Sequence, residues 1–413
     1  MTADFARAAA TLPGGDPVAA WLLEKARDMA DSRSVIGGLC QRLVAAGFPL
    51  FRLFLSIRTL HPQAAAIGYH WRRGDSLPIE TPREHGIDRQ DIYLNSPIKL
   101  IHDGLPEVRR RIDDPSAPRD FPILAELQAE GVTDYVVLPL RFSQQRINAL
   151  TIATDRTDGF SDAEIAWFKE MVRLLALVLE VKETQRVAST LLSTYLGRDA
   201  GRRVLGGLIR RGEGITIAAA LWYCDLRNFT ATTETLPRAE TIALLNDYFE
   251  CMVGPVHHNG GEVLKFIGDA MLAIFPISDD LDRDRACLAA LAAAEAALRD
   301  LERLNRRRYA ASKTTLEVGI ALHAGAVTYG NIGAPDRLDF TVIGTAVNFV
   351  TRLEGLCGQL GRPLLASARF ASPCGSKLVP IGHHRLRGLP QAQEIYALPP
   401  DGADRIAAER EVS

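Results

Sequence analysis

Three short stretches hold residues whose types and spacing can do chemistry. In "WYCDLRNFT", residues 222–230, Asp225 ends an apolar run. In "VLKFIGDAMLAIFP", residues 263–276, Lys265, Gly268 and Asp269 interrupt an otherwise apolar hairpin-like segment. A lone lysine and a lone aspartate in such a segment need partners or a ligand. If the strand ending at Asp225 lies beside this hairpin, both carboxylates reach one point in space. Two aspartates with few other ligands suit Mg²⁺, which keeps waters and takes its remaining oxygens from phosphates. Phe229 and Thr230 open the element after Asp225, and the free backbone N–H groups at a helix start can hold a phosphate. In "VNFVTR", residues 347–352, Asn348 and Arg352 lie four apart and share one face of a helix. An arginine fork keeps its charge and matches phosphate oxygens. Each aspartate alone reads better as a turn or cap residue, and the Asn–Arg pair alone as a polar surface contact. The bland reading weakens when the set is considered together.

The elements around them must position these groups. "ITIAAALWYCDLRNFT" begins as a strand, and "AETIALLNDYFECMVGPVHHNG" is an amphipathic helix running into a glycine pair. The hairpin, an alanine-rich helix over 286–304 and a strand, "LEVGIALHAG", follow. The order β-α-β-β-α-β is the ferredoxin-like arrangement within an α+β fold. Upstream, residues 35–47 read as a helix ending on glycine and 50–60 as a half-buried strand. A proline-rich, loop-rich middle spans 77–122, and "DYVVLPLRF" and "INALTIATD" form a strand pair across the turn "SQQR". Ser161 with Glu164 makes a capping box. Ile165, Phe168, Val172, Leu175 and Leu179 then continue at helical spacing, predicting one long helix to near Gly197.

Length and composition bound the rest. A chain of 413 residues exceeds one typical core, so two or more domains are expected. A net charge of -2 argues against a nucleic-acid partner. Six cysteines without regular spacing suit neither a zinc cage nor a disulfide framework. The start is broken by Asp4 and Arg7 and does not read as a signal peptide, and the apolar run 171–181 is too short to span a bilayer. A cytoplasmic protein without membrane insertion is the expectation. His323, His257 and His258 read as a satisfied strand-end residue and two helix-end surface residues.

Residues 217–355 resemble the catalytic domain of class III nucleotidyl cyclases, through "CDLRNFT", "GGEVLKFIGDAMLAIF", "GIALHAGAVTYGNIG" and "RLDFTVIGTAVNFVTRLE". The resemblance implies a head-to-tail homodimer with active sites at the interface. It also implies two Mg²⁺ or Mn²⁺ ions per site and conversion of a nucleoside triphosphate to a 3′,5′-cyclic monophosphate and pyrophosphate. Asp225 and Asp269 match the metal-binding aspartates, with the carbonyl of Leu226 as a further ligand. Lys265 matches the residue that reads adenine, and Thr341 its partner in the subgroup using Thr there, so the substrate implied is ATP. Asn348 matches the ribose-orienting residue and Arg352 the one that neutralises charge on the α-phosphate. Arg387 in "HRLRGLP" is the candidate for the terminal phosphates. Two positions depart from the family pattern. Thr345 follows "IG", where no metal role belongs. Asn228 replaces a common glycine, and asparagine tolerates a left-handed backbone. The segment 34–183 resembles a GAF-type sensory domain by pattern alone, with room for an unidentified small ligand. The expected organisation is a helical extension 1–33, this domain 34–183, a helical linker 184–211, the cyclase domain 212–400 and a tail 401–413. Guanylate cyclase, disfavoured by Lys265 and Thr341, and a catalytically silent nucleotide-binding regulator are the alternatives. "GGEVL" is not the loop of diguanylate cyclases.

Overall fold

A computed structural model describes residues 15–144 and 146–400 of the protein. Residues 1–14 of the expected extension and the whole expected tail, 401–413, lie outside the described residues. The chain divides into two compact units, Met1–Leu191 and Leu192–Ser413.

The first unit is built on a six-stranded antiparallel sheet of order β3-β2-β1-β6-β5-β4. Its strands are β1 (Arg52–His61), β2 (Ala64–Arg72), β3 (Ile79–Arg83), β4 (Val108–Arg111), β5 (Asp134–Arg141) and β6 (Ile147–Thr154). Helices α1 (Pro17–Glu24) and α2 (Ser32–Ala45) precede the sheet. Helices α3 (Asp91–Leu94), α4 (Pro97–His102) and α5 (Ile123–Ala129) interrupt it, and α6 (Asp162–Leu196) follows. Side chains alternate across a strand. Leu53, Leu55 and Ile57 of β1 therefore share one core with Leu22 of α1, Ile36 and Leu39 of α2, and Phe168 and Leu175 of α6. The opposite face packs Tyr135, Val137, Ala149 and Ala153 against Ile101 of α4 and Leu124 and Leu127 of α5. The predicted capping box is present: Ser161 N–H donates to Glu164 at 2.8 Å, and Glu164 N–H donates to the Ser161 hydroxyl at 3.2 Å.

Residues 77–122 are more structured than their prolines suggest, containing β3, β4, α3 and α4. β2 was not expected either. "AAAIGYHWR" is poor in β-branched residues, and pairing with β1 along nearly its whole length makes it a strand. Gly68 in its middle admits the Phe54 ring, which would lie 3.0 Å from any added Cβ.

The second unit opens with α7 (Arg198–Leu205) and β7 (Gly214–Leu226). There follow α8 (Phe229–Thr235), α9 (Arg238–His258), β8 (Glu262–Ile267), β9 (Ala270–Ile277), α10 (Asp280–Ala310) and β10 (Val318–Ala334). β11 (Arg337–Ile343), α11 (Thr345–Gln359), β12 (Leu364–Ser367), α12 (Ala368–Ala371), β13 (Val379–His384) and β14 (Gln393–Ala397) complete it. The sheet runs β13-β14-β12-β10-β7-β9-β8, with β11 added to β10. Its part β10-β7-β9-β8 joins elements in the expected β-α-β-β-α-β order. Alternation along β7 again divides two cores. Trp222 and Cys224 pack with Tyr248 and Met252 of α9 and Ala290 and Ala294 of α10, whose alanines allow close approach. Leu221 and Tyr223 pack with Val350, Leu353 and Cys357 of α11. By the same period Asp225 belongs to the α11 side. The six cysteines are all buried and free. Among the described residues no helix is long and apolar enough to cross a membrane.

Candidate active site

β8 and β9 close on the pair Ile267–Ala270, leaving Gly268 and Asp269 as a two-residue turn. Gly268 has φ +64°, a conformation costly for any side chain. β9 also pairs with β7 as far as Met271 opposite Cys224, which brings this turn beside Asp225. The two carboxyl groups come within hydrogen-bonding reach. Burial, reinforced by the Asp269 carboxyl and the charge of Glu354, pushes Asp225 up to about 7. Its Oδ1 is buried without a partner.

Glu354 of α11 is a third acidic group here, raised to about 7 by burial, against the opposing pull of Arg227. Asp225 stands opposite Gly319 of β10. A side chain at 319 would collide with the Glu354 carboxylate, so glycine is what lets that carboxylate settle onto the strand.

A divalent cation fits this cluster. Like charges brought together out of water cannot all ionise without one, and an orphaned carboxylate oxygen supplies a ligand. Among the described residues no group of three or more His, Cys, Asp or Glu is placed to hold a metal ion, so the ion would rest on the Asp225–Asp269 pair and not on Glu354. Asp225, Asp269 and the Leu226 carbonyl would hold the ion, with water and phosphate oxygens filling the remaining positions.

The raised carboxyl has a pH signature. Its folded pKa lies above the unfolded value, so its stabilising contribution is present at low pH and lost as pH rises toward 7. A cation must displace that proton. Mn²⁺ affinity, followed by titration calorimetry in several buffers, is therefore expected to rise up to about tenfold per pH unit below neutrality, with proton release, and to level off above. An affinity flat across that range would exclude a protonated carboxyl at the site.

Lys265 follows a register break in β8 and sits opposite Leu272. Its ammonium pairs with Asp339 of β11. Both side chains are partly solvated, so the pair is worth no more than about 1 kcal/mol and orients the lysine more than it stabilises the fold. Thr341 lies two residues beyond Asp339 on the same strand, hence on the same face, and is buried. Asp339 is the residue that sequence reasoning missed here. Its signal was present in "LDFT", an acidic residue in phase with Thr341.

Asn348 is exposed on α11, and the Arg352 guanidinium lies against the Gly388 backbone, where an added Cβ would come within 3.4 Å of both terminal nitrogens. Arg387, beside it in the chain, is exposed. At 100° per residue, Glu354 projects from the side of α11 roughly opposite Asn348 and Arg352. One protomer thus keeps its acidic cluster on one side of this helix and its Asn–Arg pair on the other. Asn228 adopts the left-handed conformation, φ +57°, directly before α8. Phe229 packs against the core, while Thr230 is exposed.

His323 is satisfied, as expected, but it lies within β10 rather than at a strand end, and His257 and His258 are exposed at the end of α9. His323 bonds Ser367 Oγ through Nδ1 at 2.8 Å and stacks on Phe349, and burial lowers its pKa to about 4. His258 donates from Nδ1 to the Gly254 carbonyl at the end of α9.

Residues 216–397 match the family model for the adenylate and guanylate cyclase catalytic domain. The chain is 37% identical over 161 residues to an adenylate cyclase of Anabaena cylindrica, covering 38% of this chain and 31% of that protein. It is 30% identical over 178 residues to adenylate cyclase 1 of Rhizobium meliloti, covering 42% and 26%. It therefore spans less than a third of either relative. The crystal structure of the adenylyl cyclase CyaB from P. aeruginosa is similar at 26% identity and a TM-score of 0.42, over 45% of this chain and 96% of that one. That of the guanylyl cyclase Cya2 is similar at 28% and 0.40, over 45% and 93%. The second unit carries a class III adenylate/guanylate cyclase catalytic domain.

Proposed function

We propose that the protein is an adenylate cyclase that converts ATP to 3′,5′-cyclic AMP and pyrophosphate, working as a homodimer in the cytoplasm. The observation that carries this reading is the segregation around α11. The paired carboxylates Asp225 and Asp269 lie on one side, and the side chains of Asn348 and Arg352, without an ion pair or hydrogen bond among the described residues, lie on the other. Neither half is a nucleotide site alone. A second copy arranged head to tail would bring the Asn–Arg face of one protomer to the carboxylates of its partner, completing two equivalent sites.

In such a site Asp225, Asp269 and the Leu226 carbonyl would hold two Mg²⁺ or Mn²⁺ ions. When bound, these supply charge neutralisation for the triphosphate and favour ionisation of the ribose 3′-hydroxyl. Phe229 and Thr230 lend backbone N–H groups to phosphate. Asn348 orients the ribose so that its 3′-oxygen lies in line with the α-phosphorus, and Arg352 meets the negative charge that grows there. Arg387 reaches the terminal phosphates. Lys265, steadied by Asp339, donates to the adenine edge, and the Thr341 hydroxyl completes the contact. Guanine presents an acceptor where adenine has its amino group, so the pair discriminates against GTP.

The first unit is read as a GAF-like sensory module that biases the dimer. Its six-stranded antiparallel sheet, with helices on both faces and a cavity under those of one face, supports that reading.

The test is product formation by the purified chain offered ATP or GTP with Mg²⁺ and then Mn²⁺. Cyclic AMP in large excess over cyclic GMP is expected. A preference for cyclic GMP would overturn the roles of Lys265 and Thr341 while leaving the metal site in place. Absence of either product, both from the full chain and from residues 192–413, would overturn the reaction.

A further inference from the structure

One face of the first unit's sheet carries residues that packing does not explain. Leu53, Leu55 and Ile57 point into the helical core, so Arg52, Phe54, Ser56 and Arg58 point the other way. Over β5 and β6 that second face is apolar and covered by α4 and α5. Over β1 to β3, and reaching β5 and β6 beneath α4 and α5, it encloses a cavity of about 990 Å³, near the upper end of the range of small-molecule sites.

The strand register arranges charge within it. Arg58 stands opposite Ala66, and Ala66 opposite Arg83, so the three form one row across β1, β2 and β3. Two strand spacings put the roots of the two arginines about 10 Å apart. The small Ala66 side chain leaves the interval between them open. Arg52, further along β1, is neutralised by Glu126 at 2.7 Å and Glu130 at 3.4 Å. Arg58 and Arg83 have no side-chain hydrogen bond or ion pair among the described residues, although both line the cavity.

Beside this row His70 lies against the Phe54 ring, with centroids 4.4 Å apart. Burial, aided by Arg52 and Arg83, keeps the imidazole neutral with a pKa near 4. The pair forms an uncharged aromatic surface, its two rings tilted 39° to one another. On the far wall His102 Nδ1 bonds the Tyr93 hydroxyl at 2.9 Å, while its Nε2 is buried and without a partner. Two guanidinium groups without partners among the described residues, an aromatic surface and one unsatisfied ring nitrogen all face the same space.

We infer that this cavity binds a small organic anion, with its carboxylate or phosphate held between Arg58 and Arg83 and a flat apolar body laid on Phe54 and His70. The site is read by binding alone, so it stands or falls independently of the reaction proposed for the second unit.

Titration calorimetry on the full chain, with phenyl phosphate, benzoate, benzyl alcohol and benzylammonium as probes, tests it. At least one anion is expected to bind about tenfold or more tighter than benzyl alcohol, the gain of charge-assisted hydrogen bonds, with benzylammonium weakest. Which anion binds more tightly distinguishes phosphate from carboxylate. The double replacement Arg58→Met with Arg83→Met should reduce the anion to the level of benzyl alcohol. If that variant does not fold, Ala66→Leu, which fills the gap and keeps both charges, should abolish anion binding. The inference is overturned if benzyl alcohol binds as well as the anions, if neither anion binds, or if anion affinity survives in the folded variant.

Discussion

Replacing Asp269 with alanine is expected to reduce nucleotide turnover by at least about a thousandfold, since loss of metal-borne charge stabilisation costs several kcal/mol in the transition state. The fold should survive. Asp269 occupies a partly exposed turn whose backbone shape is set by Gly268, and no core contact depends on its side chain. Removing it also relieves repulsion on Asp225, so the metal-free variant should melt no lower than the parent. Mn²⁺ binding, measured on the same samples, should weaken in parallel with activity. Undiminished turnover would sink the metal assignment, and a collapsed melting curve would make Asp269 structural instead.

Arg352→Ala is the second large effect. The guanidinium makes no ion pair or hydrogen bond among the described residues, so its removal leaves no orphaned partner and should barely change stability. Turnover is expected to fall roughly a hundredfold to a thousandfold, as for loss of one preorganised donor to developing charge, with a smaller change in KM. Because Arg352 and the carboxylates lie on different sides of α11, the two defects should complement. Mixing Asp225→Ala chains with Arg352→Ala chains leaves one intact site in each mixed dimer, so activity should return to a measurable fraction of the parent's. If mixed dimers form, as shown by co-purification of two tags, and activity stays absent, the shared site is refuted.

Much of the second unit was legible because its pattern is local. The hairpin of β8 and β9 follows from two apolar runs around a Gly–Asp turn, and the left-handed Asn228 from that residue's tolerance of positive φ. The meeting of Asp225 with Asp269 required only that neighbouring strands pair. What escaped depended on long-range register. Glu354 looked like an ordinary helix residue until α11 was laid over Gly319. Asp339 became relevant only once β11 stood near β8. In the first unit the proline-rich segment hid β3 and β4, and β2 hid because alanine and glycine carry little strand preference of their own. Arg58 and Arg83 lie 25 positions apart, and only the pairing of three strands makes them neighbours.

The two-sidedness of α11 bears on how output scales with expression. In the dimer proposed above, a protomer that holds half of each site would be inert by itself. Below the concentration at which copies associate, active assemblies grow with the square of the amount of chain. A doubling of protein would then yield a fourfold rise in product, and a halving would leave a quarter of it. Such an enzyme would read its own abundance, on a concentration scale set by the strength of one interface.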